Sequence, residues 1–443
     1  MGKLKHELRD PIHGFVKILD DERKILNSEH LQRLRDITQL GMTYLLYPSA
    51  THKRFEHSLG VMELATRVFD VIIAPDNLLP QVLTLLPELK NEDAKRYWRK
   101  VLRMAALCHD IGHLPFSHTG EKEIFPEGWN HERMTAELIQ KRMAELFREL
   151  DMPLRWKDVV KVALGQKKIK EIHPDWEFSR WEIILSEIIV SDIFGVDRMD
   201  YLLRDSYHIG VAYGKFDHFR LIDTLRILPN PETDEPELGI EIGGMHVAES
   251  LLLARYFMYS QVYLHHIRRI YDIHLKEFLK AYFTNKSGKA EISVDPEEFL
   301  NYTDSMIMSE IYTYAKNQNS AGYEHAKRIT QRKHFKLVYE RNAQDISINP
   351  NAVEILFTAL QKEFGEENIT KDEHEEKGGI SPFWVIDRNK NIVNVFSESE
   401  VLKKIPRAII GFIFAKPELK QRIKQWLGEN KEDILKKGVK KDE

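Results

Sequence analysis

The run Cys108-His109-Asp110-Ile111-Gly112-His113 constrains this chain most, because it sets an imidazole and a carboxylate side by side at the C-terminal end of an otherwise apolar helix. That helix starts after Asn91, a good N-cap, with Glu92 and Asp93 where the helix dipole favours acids. It runs through Trp98, Val101, Leu102, Ala105 and Cys108, and Gly112 and Pro115 end it. His109 and His113 then stand i, i+4 on one face. Burying such groups is costly, and a divalent cation compensates by binding neutral imidazole and ionised carboxylate together. Alone, the pair reads equally as a C-capping histidine beside a surface acid.

The surroundings favour the ion. Six of the 19 histidines fall between His52 and His131, where an even spread would give about three or four. From Arg54 to about Ala74, Phe55, Leu59, Met62, Ala65, Phe69 and Ile72 recur at steps of three and four, and Val61, Leu64 and Val68 widen the stripe. This predicts a largely buried helix that carries His57. A third helical segment, Gly195 to Tyr201, supplies Asp197. Three packed helices can bring His57, His109, Asp110 and Asp197 onto one ion and leave two positions open if it is octahedral.

Further helical patterns lie near 131–150, 180–206, 246–282 and 294–316, and Leu225 to Val247 reads as a small β-hairpin with a long loop. After about residue 330 the runs Phe335–Tyr339, Phe383–Ile386, Ile392–Phe396 and Ala408–Phe414 predict strands, between helices near 350–364 and 417–427. The charged stretch Thr370–Gly379 reads as a solvated loop and Lys436–Glu443 as a frayed tail. The expected fold is mainly α: a helical bundle core over 1–284 with the small hairpin insertion, then a smaller α+β region over 285–443, regulatory or oligomerising.

Charge and cysteine content narrow the partners. Lys+Arg 65 against Asp+Glu 69 leaves a net charge of −4, so no global basic field serves nucleic acid or an anionic membrane. Any nucleic-acid contact is local and secondary, for example at Lys327–Lys333. Cys108 is the sole cysteine, the start MGKLKHELRD has no signal-like apolar stretch, and Ala408–Ala415 is far shorter than a membrane span. The expected setting is reducing and cytoplasmic, with no membrane partner.

The ordered set DPIHG (10–14), QRLRDITQLG (32–41), HKRFEHSLG (52–60), CHDIGHLPFSH (108–118), WNHE (129–132), VDRMDYLLRD (196–205), HIG (208–210) and RYFMYSQVYLHH (255–266) resembles the HD-domain phosphohydrolases. Within them it is similar to the deoxynucleoside triphosphate triphosphohydrolases, over roughly residues 6 to 270. The resemblance implies an HD-domain helical bundle with His57, His109, Asp110 and Asp197 as ligands of a divalent metal: Mn, Fe, Mg, Co, Ni or Zn. It implies hydrolysis of a dNTP to deoxynucleoside and tripolyphosphate, with His118 as general acid and His113 and His131 on the phosphate side. Glu121 stands where the family usually has an aspartate. Arg54, Arg198 and Arg255 match phosphate-contacting cations. Gln39 and Leu40 match residues near the deoxyribose, Asp205 the one binding its 3′-hydroxyl, and Tyr201 and Tyr263 the aromatics that exclude a 2′-hydroxyl.

Gln32 and Arg35 match residues that bind an activating nucleotide at a subunit interface, which implies an allosteric homo-oligomer, dimer or tetramer. Asn27 replaces an aspartate that reads guanine there, and an amide offers a donor as well as an acceptor. Two other readings stay open: another HD phosphohydrolase activity, such as a nucleotide phosphatase or phosphodiesterase, and a nucleotide- or nucleic-acid-binding protein with little turnover.

Overall fold

The computed structural model describes residues 4–375 and 380–439. Along the chain, strands β1 (Leu4–Asp10) and β2 (Gly14–Leu19) precede helices α1 (Arg54–Ile72), α2 (Glu92–Cys108), α3 (His131–Leu138), α4 (Trp156–Ile172), α5 (Arg180–Val190) and α6 (Val196–Ile209). Strands β3 (Leu225–Pro229) and β4 (Pro236–Glu241) lead to helices α7 (Met245–Met258), α8 (His266–Ser287) and α9 (Tyr323–Thr330). Then come β5 (Lys336–Glu340), α10 (Ala352–Phe364), β6 (Ile369–Glu375), β7 (Trp384–Ile386), β8 (Ile392–Asn394), β9 (Ile409–Ala415) and α11 (Lys420–Val439). The fold is mainly α with small sheets, as expected.

The chain divides into two packing units, each described by itself. The first holds the described residues up to 258 with 291–307 and 380–405; the second holds 259–290, 308–375 and 406–439. These units interleave the two regions that sequence texture separates at residue 284. Parallel pairing of β4 with β7, Ile240 opposite Val385, is what draws residues 380–405 into the first unit.

In the first unit α1 and α2 form the centre, and both owe their starts to local chemistry. Asn91 Oδ1 accepts from the Asp93 and Ala94 amides at 2.9 and 3.1 Å, and Glu56 Oε1 accepts from the Lys53 amide at 2.7 Å. Phe69, Val61, Leu64, Val101, Leu102 and Ala105 are fully buried. Ser179 and Glu182 form a reciprocal capping box at the start of α5. The sheet order is β3-β4-β7-β8, so the expected hairpin is present as half of a four-stranded sheet. The second unit holds the antiparallel sheet β5-β9-β6, with α10 and α11 supplying Leu356, Leu360, Ile423 and Leu435 to its core.

Several expectations are corrected. Helix α2 stops at Cys108, so His109 to Gly112 form turns and His113 lies beyond the helix rather than on its face. The 180–206 pattern is two helices, interrupted at 191–195, and the 246–282 pattern breaks at a π-helical turn, Tyr259–Tyr263. The 294–316 pattern is a short turn, Pro296–Phe299, and a helix, Asp304–Tyr314. Ile369–Glu375 is a strand paired along its length with β9, not a loop; its charges sit on an edge strand, where they discourage further pairing. The expected tail is helical through Val439, and its last four residues, like 376–379 of the expected loop, lie outside the described residues. The β1–β2 hairpin and α4 had no expectation attached.

Candidate active site

Two histidines on different elements turn the same nitrogen inward. Nδ1 of His109 donates to the Ala106 carbonyl at 2.8 Å, which leaves Nε2 as the acceptor of the neutral ring, and this buried atom makes no hydrogen bond. Nδ1 of His57 lies 2.8 Å from Asp200 Oδ2, and its Nε2 lies 3.0 Å from Asp197 Oδ1. His57, His109 and Asp197 each offer one ligand atom, all within 4.8 Å of one another. Asp110 joins them, with Oδ1 3.4 Å from His109 Nε2 and Oδ2 3.6 Å from His57 Nε2. An orphaned buried imidazole nitrogen beside two carboxylates and a second imidazole fits a divalent cation of borderline hardness.

Electrostatics agree with the geometry. Burial opposes charge on His57, yet hydrogen bonds to Asp197 and Asp200 and the nearby Asp110 raise it to about 10. A cation held there satisfies the same anions. Burial would raise the Asp110 carboxyl, but Arg54, His109 and His113 hold it well below the usual carboxylate range. Arg54 itself reaches Asp110 Oδ2 at 2.5 Å and Ser117 Oγ at 2.8 Å.

Beside this set lies a second cluster, in which nitrogens of His113, His118 and His131 come within 4.8 Å of one another. The His113 and His131 rings stack with centroids 4.0 Å apart. Glu121 spans its partners: Oε1 takes His131 Nδ1 at 2.6 Å, and Oε2 takes His118 Nδ1 at 3.2 Å. Burial would raise the Glu121 carboxyl, but these two histidines pull it far below its ordinary value. Burial also opposes charge on His131, and Glu121 raises it nonetheless. His113 is driven well below its ordinary value by burial, then by Arg54 and His131. The cluster thus pairs a neutral ring with one favoured as a cation.

The loop between His113 and His118 has a demanding backbone. Phe116 and Ser117 both take positive φ, 58° and 62°, and are held by named partners. Asp304 accepts from the Phe116 amide at 2.7 Å and from the amide and hydroxyl of Thr38 at 2.7 and 2.6 Å. Arg33 donates to the carbonyls of His113 and Tyr302 at 2.9 and 2.7 Å. Neither Asp304 nor Arg33 was singled out from sequence, since nothing local marks a residue that serves a loop 80 or more positions away.

The remaining candidates are distributed. Asp205 lies 2.7 Å from His52 Nε2. Gln39 is buried, with an Oε1 that has no hydrogen-bond partner, and Leu40 beside it is buried. Arg198 reaches Asp192 at 3.3 Å. Tyr201 on α6 and Arg255 on α7 are half-buried. Tyr263 belongs to the second unit. Gln32 donates to the Leu26 carbonyl at 2.8 Å and accepts from Arg35 at 2.9 Å, Arg35 stacks 3.6 Å over Phe55, and Asn27 is exposed.

Comparison with known proteins matches the same segments. The HD domain matches residues 54–193 and the HD associated region residues 216–378. An uncharacterized protein of Methanocaldococcus jannaschii is 36% identical over 313 residues, 68% of this chain and 54% of that relative. The human deoxynucleoside triphosphate triphosphohydrolase SAMHD1 is 30% identical over 368 residues, 75% of this chain and 55% of its own length. The chain therefore spans little more than half of each of these two relatives. A crystal structure of a hypothetical protein from Aquifex aeolicus superposes with a TM-score of 0.74 at 30% identity, covering 95% of this chain and 99% of that one. With the His/Asp cluster and these matches together, the chain belongs to the HD-domain phosphohydrolase family.

Proposed function

We propose that the chain hydrolyses deoxynucleoside triphosphates to deoxynucleoside and tripolyphosphate. The observation that carries this reading is the cluster of His113, His118 and His131, the last two bridged by Glu121, beside His57, His109, Asp110 and Asp197; it supports separate roles toward the reacting phosphate and the leaving group. His57, His109, Asp110 and Asp197 would hold a divalent metal, which would supply Lewis-acid polarisation of a phosphoryl oxygen and activation of water.

The chain's own groups do the rest. Water adds to the α-phosphorus and gives up one proton to solvent, the P–O5′ bond breaks, and O5′ takes a proton from His118 Nε2, whose ring Glu121 orients through Nδ1. Protonated His131, with Arg54, Arg198 and Arg255, neutralises phosphate charge. Asp205 accepts a hydrogen bond from the 3′-hydroxyl, and Gln39 and Leu40 border the deoxyribose. Tyr201 bounds the sugar on the side where a ribonucleotide carries its 2′-hydroxyl. Binding of an activating nucleotide at Asn27, Gln32 and Arg35, with assembly into a homo-oligomer, requires Gln32 and Arg35 to exchange their present contacts for it.

The test is product identification with Mn²⁺, Mg²⁺, Fe²⁺ or Co²⁺ in H₂¹⁸O. Tripolyphosphate carrying the label, deoxynucleoside without it, and loss of both in Asp110→Ala are expected. Inorganic phosphate from monophosphates as the sole product overturns the reading. Initial rates and native mass with and without GTP or dGTP test the activation, which unchanged values would sink.

A further inference from the structure

Two motifs, Asp10-Pro-Ile-His13-Gly and the Asp200 and Arg204 of the 196–205 segment, have no part in the chemistry above, yet they converge on the back of a metal ligand. Asp200 is fully buried and holds four hydrogen bonds. Its Oδ2 faces His57 Nδ1 at 2.8 Å and takes Arg204 Nε at 2.8 Å; its Oδ1 faces His13 Nε2 at 2.6 Å and takes the Arg204 terminal nitrogen at 2.9 Å. Arg204, also fully buried, donates from its other terminal nitrogen to Asp10 Oδ2 at 2.8 Å. Asp10 Oδ1 closes the turn between β1 and β2 by accepting the Ile12 and His13 amides at 2.9 and 2.8 Å.

Such a cluster is a poor device for stability alone, because dehydrated ion pairs gain little over well-packed apolar side chains. Its charges also do not cancel: two carboxylates face one guanidinium, and the surplus negative charge faces the His57 ring. A carboxylate on one imidazole nitrogen fixes the tautomer and ring angle and makes the other nitrogen a stronger ligand. The backbone is shaped around the contact as well. At Gly60, one turn after His57, a Cβ would run into Asp200 Oδ1, so α1 and α6 approach this closely only because glycine stands there.

We propose that Asp200 is a positioning residue of the metal centre, aiming His57 Nε2, and that the β1–β2 turn sets its aim through His13 and, by way of Asp10, Arg204. The hairpin thereby governs metal affinity and ligand geometry. This rests on His57, His109, Asp110 and Asp197 being the metal ligands, and not on which nucleotide is hydrolysed.

The test uses the full chain, stripped of metal and titrated with Co²⁺, with dissociation constants from equilibrium dialysis and the visible d–d spectrum as a readout of ligand geometry. Asp197→Ala checks the underlying reading: wild-type Co²⁺ binding that Asp197→Ala leaves intact overturns the metal-centre assignment and this inference with it. Given binding that Asp197→Ala abolishes, Asp200→Asn is expected to weaken affinity by roughly 10- to 100-fold and to shift the spectrum. His13→Gln, which removes no charged partner of Arg204, is expected to weaken it less and shift it in the same direction. If Asp200→Asn gives no cooperative melt, His13→Gln decides. Folded variants with wild-type affinity and spectrum, however much their melting temperature falls, overturn the inference and leave the metal-centre assignment standing.

Discussion

Glu121 shows how one methylene changes what a residue can do. The family pattern places an aspartate here, and the longer side chain reaches His131 with one oxygen and His118 with the other. It also accepts the His131 amide at 2.9 Å, at the first residue of α3. Because Glu121 raises His131, Glu121→Gln lets His131 lose its proton at lower pH, so the alkaline limb of the pH–rate profile moves down. A fall in kcat of about 100-fold accompanies it, measured by initial rates between pH 5 and 9. An unmoved limb would separate His131 from the rate. The family resemblance points to His113, His118, His131 and Glu121. It does not point to Asp304, Arg33 or His13, which join the site only through tertiary contacts. One local signal was present for Asp200 and Arg204: with Asp197 they stand at steps of three and four on one helical face.

At the scale of elements, close approach decides the geometry. Gly112 lets α3 close on the turn after α2, and a Cβ there would run into the His131 carbonyl and the Thr135 amide. Both neighbours are backbone, so Gly112→Ala should cost about 2–4 kcal/mol in urea unfolding and lower activity through His131. A loss below about 0.5 kcal/mol would mean that the turn yields. A second contact, between α5 and β4, sets a pH dependence. Burial, then the neighbouring Glu237, raises Glu187 from 4.5 to about 7. The native state therefore keeps a proton that the unfolded chain has lost, and stability falls as pH rises from about 4.5 to 7. Glu187→Gln removes that slope and should stabilise the protein by roughly 1–3 kcal/mol at pH 8, with no gain at pH 4. Denaturant melts at both values check the sign. The apolar stripes of α1 and α2 were readable because period and burial coincide. β6 was not, because an edge strand shows water the same charges as a loop.

For the whole molecule, the helical periodicities predict a mainly α chain, and the structure has that character. The division itself was hidden: Ile240 and Val385 pair as neighbours although 145 positions separate them, and a strand's own sequence does not name its partner. Near-neutral net charge likewise conceals a local surplus of carboxylates at the candidate metal site, where the buried Asp110 and Asp200 and the partly exposed Asp197 meet His57 and His109. A cation that binds this set only when the chain is folded stabilises the fold by mass action, by about 2.7 kcal/mol at a hundredfold excess over Kd. Spread over a first unit of about 300 residues, that free energy raises Tm by about 4 °C. Calorimetry of the full chain with chelator and then with Mn²⁺ or Co²⁺ should show the rise in wild type and none in Asp197→Ala. A rise of equal size in the variant would mean that the ions act elsewhere on the protein, and the carboxylate surplus would then need another partner than a metal.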